Sequence, residues 1–212
     1  MIIGSHNTMS YPRPQWWMRP FNFMTRCQSE HITSQYADGA QMFDLRIVFD
    51  HNVPYFACGR AIYKDESVDT VLDRLNDWSR TFHERTGKRL VVRVILERGK
   101  DYVTFTDFCN RIDRTYTEIQ FCGFRSKNWE FCGYWYIRDG VGVGAGDTGS
   151  VELKGKDWSY SSKPASRFHI DFKHKYAFGI WPRRFAQKHN KKYREECVDY
   201  DGFLLQDFVG KY

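Results

Sequence analysis

The sequence predicts an α/β fold with a parallel sheet, because segments with helical apolar spacing alternate with short β-branched runs. The clearest example is segment 67–86, which repeats apolar residues every three or four positions and is followed at once by a continuous β-branched run, 90–96. The length of 212 residues suits a single domain, 1–212, and reaches the lower end of the range for an eight-stranded α/β barrel. We therefore expect one domain built around a parallel sheet.

Two helices are predicted in the first half of the chain. The first runs from Ser67 to Thr86, with Asp65 or Ser67 as its N-cap and Gly87 as its terminator. The second runs from about Thr104 to Tyr116 and opens with a Thr104/Asp107 pair that resembles a capping box.

Strands are predicted around these helices. The apolar start, 1–3, is interpreted as a buried strand with His6 at its end. A later strand is predicted near 119–124, and the last strand at 196–200. Segments 42–49 and 55–59 form a hairpin around a polar turn that contains Pro54. If the hairpin is symmetric about Asn52, Arg46 lies opposite Cys58.

Composition and charge narrow the function classes. Hydrophobic residues make up 42% of the chain and aromatic residues 17%, which excludes a disordered or membrane-spanning protein. The net charge of +6 favours an anionic partner. Much of the excess positive charge lies in 183–194. We interpret this run as the solvated face of an outer helix and not as a basic helix that binds nucleic acid. We expect a monomer that binds no nucleic acid.

The cysteine pattern indicates a reducing compartment such as the cytoplasm. The six cysteines form no Cys-x-x-Cys pair and have no histidine at metal-ligand spacing, so no zinc site is predicted. No signal peptide precedes the first predicted strand, and no transmembrane segment is visible. The glycine-rich stretch 139–149 is interpreted as a loop at the barrel mouth, because no long helix signal follows it as a dinucleotide site would require.

Polar residues collect at the ends of the predicted strands, and they are His6, Asn7, Asp44, Arg46, Glu97 and Asp199. In a parallel barrel the carboxyl ends of the strands form one rim, where active sites lie, and the first and last strands become neighbours. We therefore expect Asp199 to orient His6 as a general base, with Arg46 near enough to hold a phosphoryl oxygen.

Four short blocks occur in order across residues 4–59. They are Gly4-Ser5-His6-Asn7-Thr8, Cys27-Gln28 with Ile32 and Gln35, Gly39 through Phe43-Asp44-Leu45-Arg46, and Cys58-Gly59. Together they resemble the catalytic X domain of phosphatidylinositol-specific phospholipase C, which has His-Gly where this chain has Cys58-Gly59. Val198-Asp199-Tyr200 is similar to the Asp-Tyr of that family's final strand.

The resemblance implies a distorted or incomplete TIM-type β/α barrel that cleaves the phosphodiester of an inositol phospholipid. His6 would deprotonate the inositol 2-hydroxyl to form a cyclic inositol phosphate, with Asp199 holding the imidazole, and Asn7, Asp44 and Glu97 would bind substrate. Arg46 matches the arginine of metal-independent bacterial members, so no metal cofactor is expected. The alternative is Ca²⁺ near Asn7, Asp44 and Glu97, which a fixed guanidinium beside the ion would oppose.

Cys58 stands where the family has its second histidine, which protonates the departing glycerol oxygen. Beside Arg46 a thiol would tend toward thiolate, which cannot donate a proton. His51 lies about five residues from Arg46, roughly 16 Å along an extended strand, too far to substitute. Three interpretations stay open: a slowed enzyme, a non-catalytic phospholipid-binding or structural barrel, and an engineered substitution. A related phosphodiesterase for another head group, such as choline or glycerol, is a further alternative.

A peripheral membrane contact is also predicted. Trp16 and Trp17 lie in a segment with Arg13 and Arg19, and tryptophan beside cations is favoured at a lipid interface. Burial of the two rings as a cap over the barrel is the alternative.

Overall fold

The computed structural model describes residues 2–99, 101–124 and 203–211, and seven single positions between 183 and 195. Its strands are β1 (Ile2–Ser5), β2 (Met42–Asp50), β3 (Val53–Cys58), β4 (Ala61–Tyr63), β5 (Val91–Leu96), β6 (Gln120–Phe124) and β7 (Phe203–Gln206). Its helices are a 3-10 helix (Trp16–Phe21), α1 (Asn22–Thr25), α2 (Ile32–Ala37), α3 (Val68–Thr86) and α4 (Tyr102–Thr115). The predicted α/β class is confirmed. None of the helices in these ranges has the length and apolar character needed to span a bilayer.

Seven strands of the described ranges form one mixed sheet. Five of them are parallel and lie in the order β6, β5, β2, β1, β7, while the β3–β4 pair continues antiparallel from the far end of β2. The parallel strands β1, β2, β5 and β6 lie side by side in chain order, as along the wall of a β/α barrel. The described strands form one open sheet, so their order fits the barrel prediction without showing closure.

The first strand lies beside the last described strand. β1 pairs with β7 in parallel register from Ile2↔Phe203 to Ser5↔Gln206. β7 therefore lies beside the first strand, the position that the sequence predicts for a strand over 196–200. That predicted strand and the glycine-rich stretch 139–149 lie outside the described residues.

The two faces of β2 have different roles. Phe43, Leu45 and Ile47 are buried in the apolar core, which also contains the inward faces of α3 and α4. Alternate side chains of a strand point to opposite faces, so Asp44 and Arg46 lie on the other side of the sheet. This alternation places the charged residues of β2 on the face of the sheet that is turned away from α3 and α4.

The helix ends follow local capping chemistry. The Ser67 hydroxyl accepts a hydrogen bond from Thr70 N at 3.1 Å, and Gly87 ends α3 at φ 71°, both as predicted. At α4 the predicted Thr104/Asp107 capping box is wrong. Asp101 is the N-cap, and its carboxylate accepts from Thr104 N at 3.0 Å. The prediction began the helix two residues late.

The hairpin has a different register from the predicted one. Asp50 pairs with Val53, and the turn consists of His51 and Asn52 at φ 49° and 64°. Two left-handed central residues are typical of the two-residue turn that joins twisted antiparallel strands. The hairpin axis therefore lies between residues 51 and 52, so its continuation places Ala57, not Cys58, opposite Arg46.

A buried ion pair joins β2 to β5. Asp44 and Arg93 are register partners, and Arg93 Nε donates to Asp44 Oδ1 at 3.0 Å with both side chains 0% exposed. Burial alone would raise the pKa of Asp44, but the charges of Arg93 and Arg46 and the Asn7 N–H hold it well below its usual range. The carboxylate is therefore charged and stabilising at neutral pH.

We expect Asp44→Asn to lower the free energy of unfolding at pH 7 by about 3–5 kcal/mol, because it leaves buried guanidinium groups without their counter-ion. Because the folded pKa is depressed, the contribution of Asp44 is complete above the unfolded aspartate pKa of about 3.9 and is lost as the pH falls below it. Urea unfolding at pH 7, 5 and 3 checks this. The difference in free energy of unfolding between the wild type and Asp44→Asn should be smaller at pH 3 than at pH 7. The control Asp77→Asn, at an exposed position of α3, should have nearly the wild-type free energy of unfolding at pH 7.

Candidate active site

His6 is the first residue after β1, and its position follows from strand pairing. Ser5 pairs with Gln206, and His6 N donates to Gln206 O at 3.1 Å, so the next residues of the two strands lie side by side. His6 Nδ1 is 2.8 Å from Asp207 Oδ1, with the histidine 1% exposed. A carboxylate at this distance favours the tautomer that carries its proton on Nδ1 and leaves Nε2 as the acceptor.

The carboxylate at His6 is not the one that the sequence pointed to. Asp199 was expected to hold the imidazole, and it lies outside the described residues. Sequence reasoning overlooked Asp207. The available signal was the apolar run 203–205 followed closely by an acidic residue, which is the pattern of a buried strand that ends in a polar group.

The other nitrogen of His6 faces Arg46. Arg46 Nη2 lies 2.7 Å from His6 Nε2, while Nε donates to Asp44 Oδ2 at 3.1 Å and Nη1 to Glu97 Oε2 at 3.4 Å. Burial lowers the pKa of Arg46, but the charges of Asp44, Glu97 and a Cys58 thiolate raise it above its usual value. The guanidinium is therefore a fixed positive charge.

Glu97 and Cys58 lie at the same rim. Glu97 Oε1 accepts from Gly59 N at 2.6 Å, which ties the end of β3 to the end of β5. Cys58 is half-buried next to that contact and, like Cys27 and Cys109, is a thiol and not part of a disulfide. The structure thus brings together His6, Asn7, Asp44, Arg46 and Glu97. Cys58, the remaining predicted site residue within the described ranges, directly precedes the Gly59 N–H that Glu97 binds and packs against the apolar core.

The side-chain amide of Asn7, the residue after His6, is buried. Its backbone N–H donates to Asp44 Oδ2 at 3.0 Å, and its φ of 45° turns the chain sharply after His6. The side chain is 2% exposed, yet its Nδ2 has no hydrogen-bond partner among the described residues. A buried amide donor without a partner is costly, and an oxygen of a bound ligand would satisfy it.

The residues present do not fit the calcium alternative. Asp44 is bound by two guanidinium groups, and Glu97 by Arg46 and the Gly59 N–H. A divalent cation between these carboxylates would have to displace Arg46 and then share the site with Arg93. A second set, His6, Cys27 and Asp207, has ligand atoms within 4.8 Å of one another, but His6 and Asp207 already bond each other.

Gln28 holds the backbone that carries His6 and Asp207. Its Nε2 donates to His6 O at 2.9 Å and to Gln206 O at 2.8 Å, and its Oε1 accepts from Val209 N at 3.1 Å. The side chain is 1% exposed, so water cannot replace these bonds. Gln28 is therefore a positioning residue between the ends of β1 and β7.

We expect Gln28→Met, which keeps the volume and removes the three bonds, to destabilise the protein by about 1–3 kcal/mol for each buried group left unsatisfied. It should also shift the ring nitrogen resonances of His6 in ¹⁵N NMR, because the backbone beneath the imidazole loses its anchor. Gln15→Met is the matched control, since Gln15 bonds Arg60 O and Ile62 N away from His6. Unchanged His6 resonances in Gln28→Met would contradict the positioning role.

The chain matches no protein-family model, and no curated protein matches it. Solved structures do match. A mutant of phosphatidylinositol-specific phospholipase C from Staphylococcus aureus is 13% identical with a TM-score of 0.61, over 100% of this chain and 87% of that one. The phosphatidylinositol-specific phospholipase C from Listeria monocytogenes is 14% identical with a TM-score of 0.57, over 98% of this chain and 87% of that one. At this identity the similarity shows a shared fold, that of the bacterial phosphatidylinositol-specific phospholipases C.

Proposed function

We propose that this chain is a phosphodiesterase of the phosphatidylinositol-specific phospholipase C type, with an inositol phospholipid as its substrate. The observation that carries the proposal is the position of His6, with a carboxylate at one ring nitrogen and a guanidinium at the other. A base oriented by a carboxylate next to a fixed cation suits attack of a hydroxyl on a phosphodiester.

His6 acts as the general base. Asp207 accepts a hydrogen bond from Nδ1–H and stabilises the imidazolium that forms when Nε2 takes the proton of the inositol 2-hydroxyl. The hydroxyl oxygen then bonds to phosphorus while the bond from phosphorus to the glycerol oxygen breaks. The products are a cyclic inositol phosphate and diacylglycerol, once the leaving oxygen gains a proton.

Arg46 binds the phosphoryl group. In the free protein its Nη2 is hydrogen-bonded to His6 Nε2. The incoming phosphate must therefore draw the guanidinium away before Nε2 can accept a proton. Asp44 and Glu97 hold the rest of the group, so this movement is a small rotation about a fixed anchor. Asn7 Nδ2 supplies a second donor to the same ligand.

Cys58 stands where the proposed reaction needs a general acid. In the mechanism implied by the family, a histidine at this position protonates the leaving oxygen. A thiol has an ordinary pKa of about 8.5, and a neighbouring guanidinium favours its thiolate, which has no proton to give. Loss of a positioned general acid typically costs about 10²- to 10⁴-fold in rate.

The membrane contact is assigned to the segment before α2. Trp16 is 77% exposed and Trp17 46%, and Phe21, Phe23 and Met24 are exposed beside them. These five residues form the apolar patch. After two intervening residues come Cys27 and Gln28, which lie close to His6. Aromatic rings near arginines suit an anionic lipid surface. The S. aureus enzyme, which shares this fold, binds membranes.

A second candidate function is a non-catalytic phospholipid-binding barrel. It is supported by Cys58 at the position where the resemblance predicts a histidine as general acid, while His6 still lies between the Asp207 carboxylate and the Arg46 guanidinium. Such a protein would bind phosphatidylinositol without releasing cyclic inositol phosphate.

Cys58→His separates these functions. We expect the variant to release cyclic inositol phosphate from phosphatidylinositol about 10²- to 10⁴-fold faster than the wild type, because it restores a general acid. Product is measured by ³¹P NMR, with His6→Ala in the Cys58→His background as the control. The same assay with choline and glycerol phosphodiesters shows which head group the enzyme accepts. Phosphatidylinositol binding without product in wild type and Cys58→His supports the binder, and activity that persists in His6→Ala contradicts the assigned base.

Trp16→Ala and Trp17→Ala test the membrane contact. Each should weaken binding to phosphatidylinositol vesicles about tenfold, from the loss of roughly 60 Å² of apolar burial at ~25 cal/mol per Å². Vesicle sedimentation gives the affinities. Val103→Ala is the matched control, because Val103 is 73% exposed on α4, outside the apolar patch. Equal binding by all three variants and the wild type would overturn the assignment.

A further inference from the structure

The basic run 183–194 has one face toward solvent and one toward β7. Each of the seven described positions between 183 and 195 is helical. Every fourth position from 183 to 195 is exposed, whereas Ala186 is 0% exposed and Asn190 only 5%. Residues four apart lie on the same side of a helix, so Ala186 and Asn190 share its inward face. Asn190 is therefore a buried amide within a run of charged residues.

Three hydrogen bonds between described residues join this helix to the end of β7. Gln206 Nε2 donates to Asn190 O at 3.2 Å, and Arg194 Nε donates to Gln206 Oε1 at 2.7 Å. Asn190 Nδ2 donates to Asp207 O at 2.8 Å, between two buried residues. Gln206 therefore holds the backbone of Asn190, while the side-chain amide of Asn190 holds the backbone of Asp207.

The peptide unit between Asp207 and Phe208 is bound on both of its sides. Its carbonyl accepts from Asn190, and its N–H donates to Cys27 O at 2.7 Å. It leads into Phe208 at φ 53°, in the left-handed region that residues with a Cβ disfavour. Rotation of this peptide plane would let Phe208 return to a negative φ, but it would break both bonds. The two bonds therefore hold a conformation that the local backbone disfavours.

Asp207 is thus fixed through the peptide before it and the peptide after it. Gln28 Nε2 holds the preceding peptide at Gln206 O, at 2.8 Å, and Asn190 holds the following one. The Asp207 carboxylate lies 2.8 Å from His6 Nδ1. A hydrogen bond weakens steeply when its angle or length departs from the preferred range, so this contact requires the backbone of Asp207 to stay in place.

We propose that Asn190 is a positioning residue that keeps the Asp207 carboxylate on Nδ1 of His6. Without its amide, the peptide plane after Asp207 is free to rotate toward the conformation that relieves Phe208, and the carboxylate loses its fixed distance from the imidazole. The ring proton then loses its preference for Nδ1. This effect belongs to the free protein, whatever the chain catalyses, and only its consequence for the reaction rate rests on the proposed function.

Asn190→Leu tests the role, because leucine has a similar volume, lacks the donor and leaves the backbone bond from Gln206 in place. We expect a smaller fraction of neutral His6 to carry its proton on Nδ1 than in the wild type, read from the ring nitrogen shifts in ¹⁵N NMR. Asn76→Leu is the matched control. Asn76 Oδ1 accepts from Glu118 N at 3.1 Å, outside the His6 site, so its loss should lower the melting temperature without altering the tautomer.

Asn190→Ser is the second variant, since serine keeps a shorter donor and disturbs the inward face of the helix less. It should shift the tautomer in the same direction as Asn190→Leu and by a smaller amount. Folded Asn190 variants that have a lower melting temperature but the wild-type tautomer would show a merely structural role and would overturn the inference.

Kinetics in the Cys58→His background separate this role from the proposed function. Asp207 stabilises the imidazolium of the transition state, so Asn190→Leu should lower kcat about tenfold, the equivalent of one hydrogen bond, with KM unchanged. Lys191→Gln, on the exposed side of the same helix, should keep both constants. A raised KM with an unchanged kcat would contradict the positioning role. If Cys58→His is inactive, the proposed function fails, and the tautomer of His6 still decides the role of Asn190.

Discussion

The parallel pairing of β1 with β7 is the constraint on which the candidate site depends. In the register Ser5↔Gln206, the next residue of each strand enters the same space, so His6 meets Asp207 across 201 positions of sequence. Gln28 bonds the backbone of both strand ends and makes this register specific. A shift by one residue would place Phe208 or Gln206 at the imidazole and would remove its carboxylate, because neighbouring residues on a strand face opposite sides.

The charges of the site form a closed network. Asp44 lies between two guanidinium groups, Arg46 extends from Asp44 to Glu97, and Glu97 accepts from the backbone of Gly59. Such a network keeps Arg46 protonated, and a divalent cation between these carboxylates would have to displace its guanidinium. A consequence of the network is that Arg46 covers the acceptor nitrogen of His6. In the proposed reaction, an anionic substrate would therefore have to draw Arg46 away before His6 could act as the base.

Much of the first half of the fold could be predicted from local patterns. The helix of α3, its Ser67 cap and the β-branched run of β5 have strong periodic signals, and the alternation of apolar and charged residues along β2 indicates which side chains share the site. The predictions of the hairpin register and of the α4 N-cap were wrong. Each depends on a single turn, and moving that turn by one or two residues hardly changes the apolar pattern of the flanking segments. Asp207 was overlooked because its role depends on which acidic residue of the C-terminal segment follows the strand that pairs with β1. That pairing is a long-range property with no local signal.

The tautomer of His6 decides whether Asp207 orients the imidazole. Long-range ¹H–¹⁵N correlation spectra of the wild type and Asp207→Asn, recorded at a pH where the ring is neutral, assign the proton to Nδ1 or Nε2. We expect a proton on Nδ1 in the wild type, held by Asp207, and a loss of that preference in Asp207→Asn. A proton on Nε2 in the wild type, or spectra that Asp207→Asn leaves unchanged, would contradict this role of Asp207.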